Sequence, residues 1–146
     1  MRVVVDANVC VSGVLSAGGN PAKILDHAFG EGPYDFELCA PPQMFSKVEE
    51  VLARPKIASR LRWGPAEIGV YARRLRLAVT EVSTGDPEKI PSYTEDPEDD
   101  PYIQAAVLGG AAYVVSGDDD VLSMEDPPVP VLSPAQFVRL WKARLL

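Results

Sequence analysis

The stretch Arg2-Val3-Val4-Val5-Asp6-Ala7-Asn8 decides how the rest of the chain is interpreted. Three consecutive valines with no charge after Arg2 are typical of a central strand that is buried on both faces of a parallel sheet. Asp6 and Asn8 follow where this strand ends. In open α/β folds, ligands bind at this carboxyl edge of the sheet. Asp and Asn are also ordinary turn residues, so the stretch alone predicts either a binding site or a capped turn.

Composition restricts the class of protein. The 146 residues are of one-domain length, so we expect a single domain over residues 1–146. Hydrophobic residues make up 47% of the chain and charged residues 24%, which excludes a disordered or fibrous protein. No apolar run approaches the roughly 20 residues of a membrane span. Cys10 and Cys39 lack metal-type spacing and are predicted to be buried free thiols. We therefore expect a cytoplasmic protein with no membrane segment.

The charge is unevenly distributed along the chain. A formal net charge of −7 argues against broad electrostatic binding to nucleic acid. Acidic residues crowd into residues 86–88, 95–100 and 118–120, whereas basic residues concentrate in residues 54–76. This asymmetry indicates a local cation site that faces a basic arm. Trp63 and Tyr71 lie among the cations of the arm, which suits phosphate contacts and base stacking, and a solvated helical face is the alternative.

Strand-like and helix-like segments alternate along the chain. Strands are predicted at residues 2–5, 36–40, 79–82, 111–116 and 129–132. Helical patterns separate them, beginning with a short turn at residues 12–17 and ending with a helix capped by Ser133. Strands separated by helices form a parallel sheet with helices on both faces and right-handed crossovers. We therefore expect a three-layer α/β/α fold with a central, mostly parallel sheet of four or five strands.

Carboxylates follow two of the predicted strands and begin the helix between them. Asp6 ends the first strand and Asp118 follows the strand at residues 111–116, while Asp99 and Asp100 begin the preceding helix. If the two strands are neighbours, these carboxylates converge at the switch point of the sheet. Clustered carboxylates repel one another, and a hard cation such as Mg²⁺ or Mn²⁺ removes that cost. Such a site acts on phosphodiesters by metal-assisted hydrolysis.

Several motifs, taken in order, resemble those of PIN-domain nucleases. They are Asp6-Ala7-Asn8, Arg54-Pro55-Lys56, Asp96-Pro97-Glu98-Asp99-Asp100-Pro101, Ser116-Gly117-Asp118-Asp119-Asp120 and Ser133-Pro134-Ala135-Gln136-Phe137. Each motif alone is weak, whereas the ordered set is fairly specific and covers nearly the whole chain. The resemblance is closest to the toxins of toxin–antitoxin pairs that are related to VapC-type ribonucleases.

This resemblance implies a PIN-like fold and Mg²⁺- or Mn²⁺-dependent cleavage of single-stranded RNA. Asp6, Asp99 and Asp118 match the catalytic and metal-binding positions. A register shift of one residue would make Asp100 the ligand instead of Asp99, and Asp120 is an outer candidate for the metal.

Supporting residues and partners are also implied by the resemblance. Asn8 and Ser116 match polar residues that orient ligands or the attacking water. The resemblance implies a homodimer, to whose interface exposed aromatics such as Trp63 or Trp141 could contribute. It also implies a protein antitoxin that supplies a cationic side chain to the acidic site.

Lys47 departs from the family pattern, in which this helix normally carries a glutamate. On a helical wheel Lys47 flanks the apolar stripe, Glu50 points about opposite to the stripe, and Glu49 flanks its other side, so neither glutamate is an obvious substitute. Lys47 could pair with Asp6 and partly replace the metal, or could bind a substrate phosphate as a point charge. One ligand of the usual set is missing, which predicts reduced activity.

Two other classes of function fit parts of the sequence. A catalytically weakened PIN domain would act by binding RNA or a protein, and Lys47 favours it. A phosphoacceptor domain would be phosphorylated on Asp6, but such sites usually need a lysine near a later strand end. Residues 113–120 contain no lysine, so this class ranks below the other two.

Overall fold

The computed structural model describes residues 1–146 and is built on a five-stranded sheet whose strands are all parallel. The strands are β1 (Arg2–Val5), β2 (Glu37–Ala40), β3 (Thr80–Glu81), β4 (Tyr113–Val115) and β5 (Val131–Leu132). They lie in the order β3-β2-β1-β4-β5. The predicted three-layer α/β/α fold is confirmed, and the sheet has the larger of the two strand numbers expected.

Eight α-helices surround the sheet. They are α1 (Ala7–Leu15), α2 (Asn20–Phe29), α3 (Pro42–Leu52), α4 (Pro55–Leu61), α5 (Pro65–Ala78), α6 (Asp100–Gly109), α7 (Asp119–Leu122) and α8 (Pro134–Lys142). Helices α1, α2, α3, α5 and α8 pack against one another, while α6 packs against β1, β2 and β4. None of these helices is long and apolar enough to cross a membrane.

Strand β1 lies in the middle of the sheet, and its three valines are fully buried. Val3 is in register with Leu38 of β2 and with Tyr113 of β4, so β1 lies between the two strands. The expected adjacency of the first strand and the strand that precedes Asp118 is therefore confirmed. The carboxyl ends of β1 and β4 lie side by side at the switch point, where the chain leaves the sheet in opposite directions.

Helix α1 begins earlier than the sequence predicts. The expected short turn at residues 12–17 is wrong, because the helix starts at Ala7, directly after β1. Two valines in its first half, Val9 and Val11, have low helix propensity, but both are buried in the core, and tertiary packing overrides propensity. The short helix α7 and a 3₁₀ turn at Pro87–Lys89 were also not predicted. The Ser133 cap of α8 is confirmed, with Gln136 N donating to Ser133 Oγ at 3.1 Å.

The aromatic residues of the basic arm contribute to the core. Tyr71 is buried, and its hydroxyl donates to the carbonyl oxygen of Cys10 at 2.7 Å. Trp63 packs against Tyr71, with ring centroids 5.7 Å apart. The expectation that Tyr71 stacks on nucleic-acid bases is therefore wrong, because its ring is enclosed. Trp141 is half-buried and packs against Phe36, so it is not the freely exposed aromatic that the sequence suggested. Both cysteines are buried free thiols, as predicted.

Two helix glycines should respond in opposite directions when replaced by alanine. A Cβ on Gly13 would overlap Cδ1 of Leu25, which is buried between α1 and α2. Gly13→Ala should therefore lower the free energy of unfolding by about 1–3 kcal/mol through overpacking. A Cβ on Gly69 in α5 meets nothing within 4 Å, so Gly69→Ala should raise it by about 0.5–1 kcal/mol. Urea unfolding of both variants measures the difference, and equal effects would contradict it.

Candidate functional site

Asp6 is the buried carboxylate at the end of β1. It is also the N-cap of α1, where Oδ1 accepts a hydrogen bond from the backbone N–H of Val9 at 2.9 Å. Its second oxygen, Oδ2, accepts a short hydrogen bond from the hydroxyl of Ser116. The two readings of Asp6 from sequence, a helix cap and a site residue, are therefore compatible, because one oxygen caps the helix and the other faces β4.

Ser116 connects the ends of β1 and β4. It is fully buried, donates to Asp6 and accepts from the backbone N–H of Asp118 at 3.0 Å. Asp118 in turn caps α7, with Oδ1 accepting from Asp120 N at 2.9 Å. This chain of hydrogen bonds holds two carboxylate residues from neighbouring strands in a defined relation.

Asp99 and Asp100 have different environments although they are adjacent. Asp100 is buried, and its Oδ1 accepts from Tyr93 N at 2.9 Å, Thr94 N at 2.8 Å and Thr94 Oγ1 at 3.0 Å. Asp99 has a buried Oδ2 with no hydrogen-bond partner. A buried, unpaired carboxylate oxygen is costly, so it calls for a proton or a cation. Asp100 thus anchors the loop before α6, while Asp99 has an oxygen free for a ligand.

These residues share a cleft of about 600 Å³ at the carboxyl edge of the sheet. Of the residues expected at the site, Asn8, Asp99, Asp100 and Asp118 line it together with Asp6 and Lys47; Ser116 lies beneath it, and the exposed Asp120 does not line it. The other lining residues come from α1, α3, α6 and the loop before α6: Ala7, Gln43, Ser46, Glu50, Pro87, Ile90, Asp96, Pro97, Glu98, Pro101 and Tyr102.

Burial and like charges raise the pKa of two of the carboxyl groups. The pKa of Asp6 rises to about 6, chiefly because the group is buried, and the hydrogen bond from Ser116 partly offsets this rise. The pKa of Asp99 rises to about 7, first through burial and then through the charges of Asp118, Asp96, Asp6 and Asp120. Mutual repulsion of this kind is the cost that a bound divalent cation would remove.

The donors suit a hard cation in their chemistry, although they do not form a closed ligand set. All are carboxylate oxygens, and Asp99 contributes one that is buried and unpaired. No group of three or more His, Cys, Asp or Glu side chains is close enough in this structure to hold a metal ion. The residues that fit a cation are therefore Asp6, Asp99 and Asp118, which converge on one cleft without yet being arranged around one point.

Lys47 lies in the cleft but does not pair with Asp6. Its Nζ is 3.6 Å from Oε1 of Glu50 and 3.6 Å from Oε2 of Glu98, on the loop before α6. The expectation that Glu50 is turned away from the site is wrong. Glu50 does project opposite to the apolar stripe of α3. The stripe packs into the core, and the polar side of the helix that carries Glu50 borders the cleft.

Gln43 and Tyr102 are the lining residues with distinctive environments among those that the sequence did not predict. Gln43 has a buried Oε1 without a hydrogen-bond partner. Its position in the first turn of α3, after two prolines, gave no signal of a site. Tyr102 is buried beside Asp6, and this burial, followed by the charge of Asp6, raises its pKa above the ordinary tyrosine value. Tyr102 lies three residues after Asp99, the N-cap of α6, and this spacing was the available signal.

The raised pKa values predict how stability depends on pH without metal. Asp6 and Asp99 bind protons more tightly in the folded state than in the unfolded chain, whose carboxyl pKa is near 3.8. The contribution of these two groups to the free energy of unfolding is therefore fully present below pH 3.8. It is lost as pH rises through about 6 for Asp6 and about 7 for Asp99. In EDTA, the melting temperature should fall between pH 5 and pH 8 by several degrees. Mn²⁺ should raise it more at pH 8 than at pH 5, because the cation competes with protons.

Variants test whether these two groups cause the effect. The double variant Asp6→Asn, Asp99→Asn should show a flatter melting profile in EDTA and little response to Mn²⁺. An unchanged profile in this variant would attribute the pH dependence to other groups.

Comparisons with known proteins bear on the family and the fold of the chain. The sequence model of a family described as PIN domain matches residues 2–120. The crystal structure of VapBC2 from Rickettsia felis bound to a DNA fragment from their promoter contains a chain of similar fold, with a TM-score of 0.61 and 8% sequence identity. The alignment covers 91% of this chain and 98% of that chain, and at this identity it bears on the fold alone. No curated protein matches the sequence significantly.

Proposed function

Because the chain belongs to the PIN domain family, we propose that it is a divalent-metal-dependent endoribonuclease that cleaves single-stranded RNA. PIN domains are generally nucleases and generally use divalent metals. The acidic cleft at the switch point of a parallel sheet is the expected position of such a site. RNA as the substrate, and Mg²⁺ or Mn²⁺ as the metal, are the specific parts of this proposal.

The observation that carries the proposal is the convergence of three carboxylates on one cleft. Asp6 and Asp118 are linked through the buried hydroxyl of Ser116. Asp99 lines the same cleft and has a buried oxygen without a partner. Helix capping accounts for one oxygen of Asp6 and one of Asp118, but Asp99 makes no capping hydrogen bond, and capping does not require three carboxylates to share a cleft.

Each residue of the cleft has a part in this proposal. Asp6, Asp99 and Asp118 would hold the cation, and Asp100 would act indirectly by anchoring the loop before α6. A bound divalent cation supplies a nucleophile from water and neutralises charge on the phosphate. Ser116 fixes the orientation of the Asp6 carboxylate through its hydrogen bond. Asn8 is exposed in the first turn of α1 and lines the cleft, and in this proposal it contacts substrate or water.

Partners and location form a second part of the proposal. The similar fold of a chain in the VapBC2 complex supports the proposal that this protein is a toxin with a protein antitoxin. A cytoplasmic location is proposed with it, on the basis of the family resemblance. We also propose a homodimer. Light scattering of the isolated protein should give twice the mass of 15.8 kDa, and a monomeric mass would overturn the dimer without affecting the nuclease.

Cleavage of a mixed-sequence single-stranded RNA tests the central activity. The purified protein should cut this RNA with Mn²⁺ or Mg²⁺ and should not cut it in EDTA. Single-stranded DNA of the same sequence should be cut more slowly if RNA is the substrate. Equal cleavage of both would leave the nuclease standing and remove the preference for RNA.

A catalytically weakened PIN domain that binds RNA or a protein is the second candidate. Two observations favour it, namely Lys47 in place of an acidic residue and the lack of a closed set of three metal ligands. RNA binding without cleavage under either metal would support this candidate. Cleavage by Lys47→Glu alone would identify a nuclease scaffold that has lost a ligand.

A further inference from the structure

Lys47 is the only lysine or arginine that lines the acidic cleft. We propose that it is a substrate-binding residue, whose ammonium contacts a phosphate of the nucleic acid at the mouth of the cleft. In the free protein, the ammonium pairs instead with Glu50 and Glu98. This inference rests on the proposed nuclease function and assigns a role to the residue that departs from the family pattern.

The cleft is strongly acidic. Its lining includes seven acidic residues and one cation: Asp6, Glu50, Asp96, Glu98, Asp99, Asp100, Asp118 and Lys47. A phosphodiester that enters this cleft meets charges of its own sign, which repel it. A metal at the inner carboxylates would neutralise only the charge near it. A phosphate farther out therefore needs a cation from the protein, and Lys47 is the one available.

The ion pairs of Lys47 can be exchanged for a pair with phosphate at a low cost in free energy. Its Nζ lies 3.6 Å from Glu50 Oε1 and 3.6 Å from Glu98 Oε2. The side chains of these glutamates are 62% and 74% exposed. Exposed ion pairs contribute little to stability, so a phosphate can replace a glutamate as the partner of the ammonium. Lysine suits this role because it binds phosphate as a point charge.

Glu50 has a second cationic neighbour in addition to Lys47. Arg54 Nη2 is 3.4 Å from Glu50 Oε1, so Glu50 keeps a cationic partner when Lys47 turns to a phosphate. Arg54 is also the first residue of the basic stretch at residues 54–76. Arg54 is therefore a second cation beside Lys47, on the far side of the Glu50 carboxylate.

The opposite role for Lys47, as an internal substitute for the metal, does not fit the contacts. Its two ion-pair partners are the exposed glutamates at the mouth. It makes no ion pair with Asp6, Asp99 or Asp118, which would hold a cation. The ammonium therefore lies beside the entrance and leaves the inner carboxylates available.

Binding of fluorescein-labelled single-stranded RNA in EDTA tests the proposal apart from cleavage. Lys47→Met should weaken binding roughly tenfold. It should also reduce the slope of log affinity against log salt by about 0.7, the value for one phosphate contact on a single strand. Lys47→Arg should keep most of the affinity, because it keeps the charge. Lys23→Met, at an exposed position on α2, is the matched control and should leave affinity unchanged.

A double-mutant cycle tests whether Glu98 competes with phosphate for Lys47. Glu98→Gln should tighten RNA binding more than Glu95→Gln, which removes the same charge from an exposed residue outside the cleft. This extra gain should disappear in the Lys47→Met background. Equal gains from both glutamine variants would reduce the effect to general charge and would overturn the exchange of partners.

The outcomes separate this inference from the function on which it rests. If wild type cuts RNA and Lys47→Met binds RNA equally well, the inference is wrong and the nuclease stands. If Lys47→Met binds RNA equally well and binds Mn²⁺ more tightly by calorimetry, Lys47 is instead a counter-ion of the metal site. If wild type neither binds nor cuts RNA, the proposed function fails and this inference fails with it.

Discussion

Replacing Asp6 by asparagine is expected to lower the rate of metal-dependent RNA cleavage by more than roughly a hundredfold. Changes to residues that only support a metal ligand cost about 10- to 100-fold, and a ligand at the centre of the site should cost more. Asparagine can still accept the hydrogen bond from Val9 N that caps α1. Cleavage assays with Mn²⁺ measure the rate, and thermal melting in EDTA establishes that the variant is folded.

A matched control lies in the same acidic region. Asp119→Asn makes the same change of charge at an exposed residue outside the cleft, and its rate should stay close to that of wild type. Loss of melting stability in Asp6→Asn would give a structural explanation for a low rate. A full rate in a folded Asp6→Asn protein would remove Asp6 from the metal site and would refute the proposed mechanism.

The adjacent aspartates at the start of α6 are expected to show opposite effects when each is replaced. Asp100→Ala should lower the free energy of unfolding by about 3 kcal/mol, because it leaves the donors of Tyr93 and Thr94 without their acceptor. Asp99→Asn should leave stability in EDTA unchanged or slightly raised at pH 8, since it removes a charge that other carboxylates repel. Its cleavage rate should fall as severely as that of Asp6→Asn.

Two measurements on each variant distinguish the two roles. Urea unfolding at pH 8 in EDTA gives stability, and calorimetric titration with Mn²⁺ gives affinity for the metal. The expected pattern is a stable Asp99→Asn that binds Mn²⁺ weakly and a destabilised Asp100→Ala that retains binding while it is folded. The reverse pattern would make Asp100 the ligand, as a register shift of one residue would require.

Local sequence patterns were sufficient for much of the fold. Three buried valines identified the central strand, and the alternation of strand and helix identified the parallel sheet. Patterns were insufficient where burial overrode propensity, as in α1, which forms despite Val9 and Val11. The aromatic residues of the basic arm were misinterpreted for a related reason. Composition alone does not distinguish an exposed ring from one enclosed by packing, and Tyr71 proved to be enclosed.

The candidate site also combines features that local sequence patterns predict with features that depend on packing. The carboxylates that end strands or begin helices could be predicted from the sequence, because these positions follow from local chemistry and strand order. The tertiary structure was needed to show that Asp100 is hydrogen-bonded to its own loop while Asp99 keeps an oxygen without a partner. It also decided that Lys47 pairs with Glu98 from a distant segment. Hydrogen bonds and ion pairs depend on distances of a few ångströms between segments, and such distances exist only once the chain has packed.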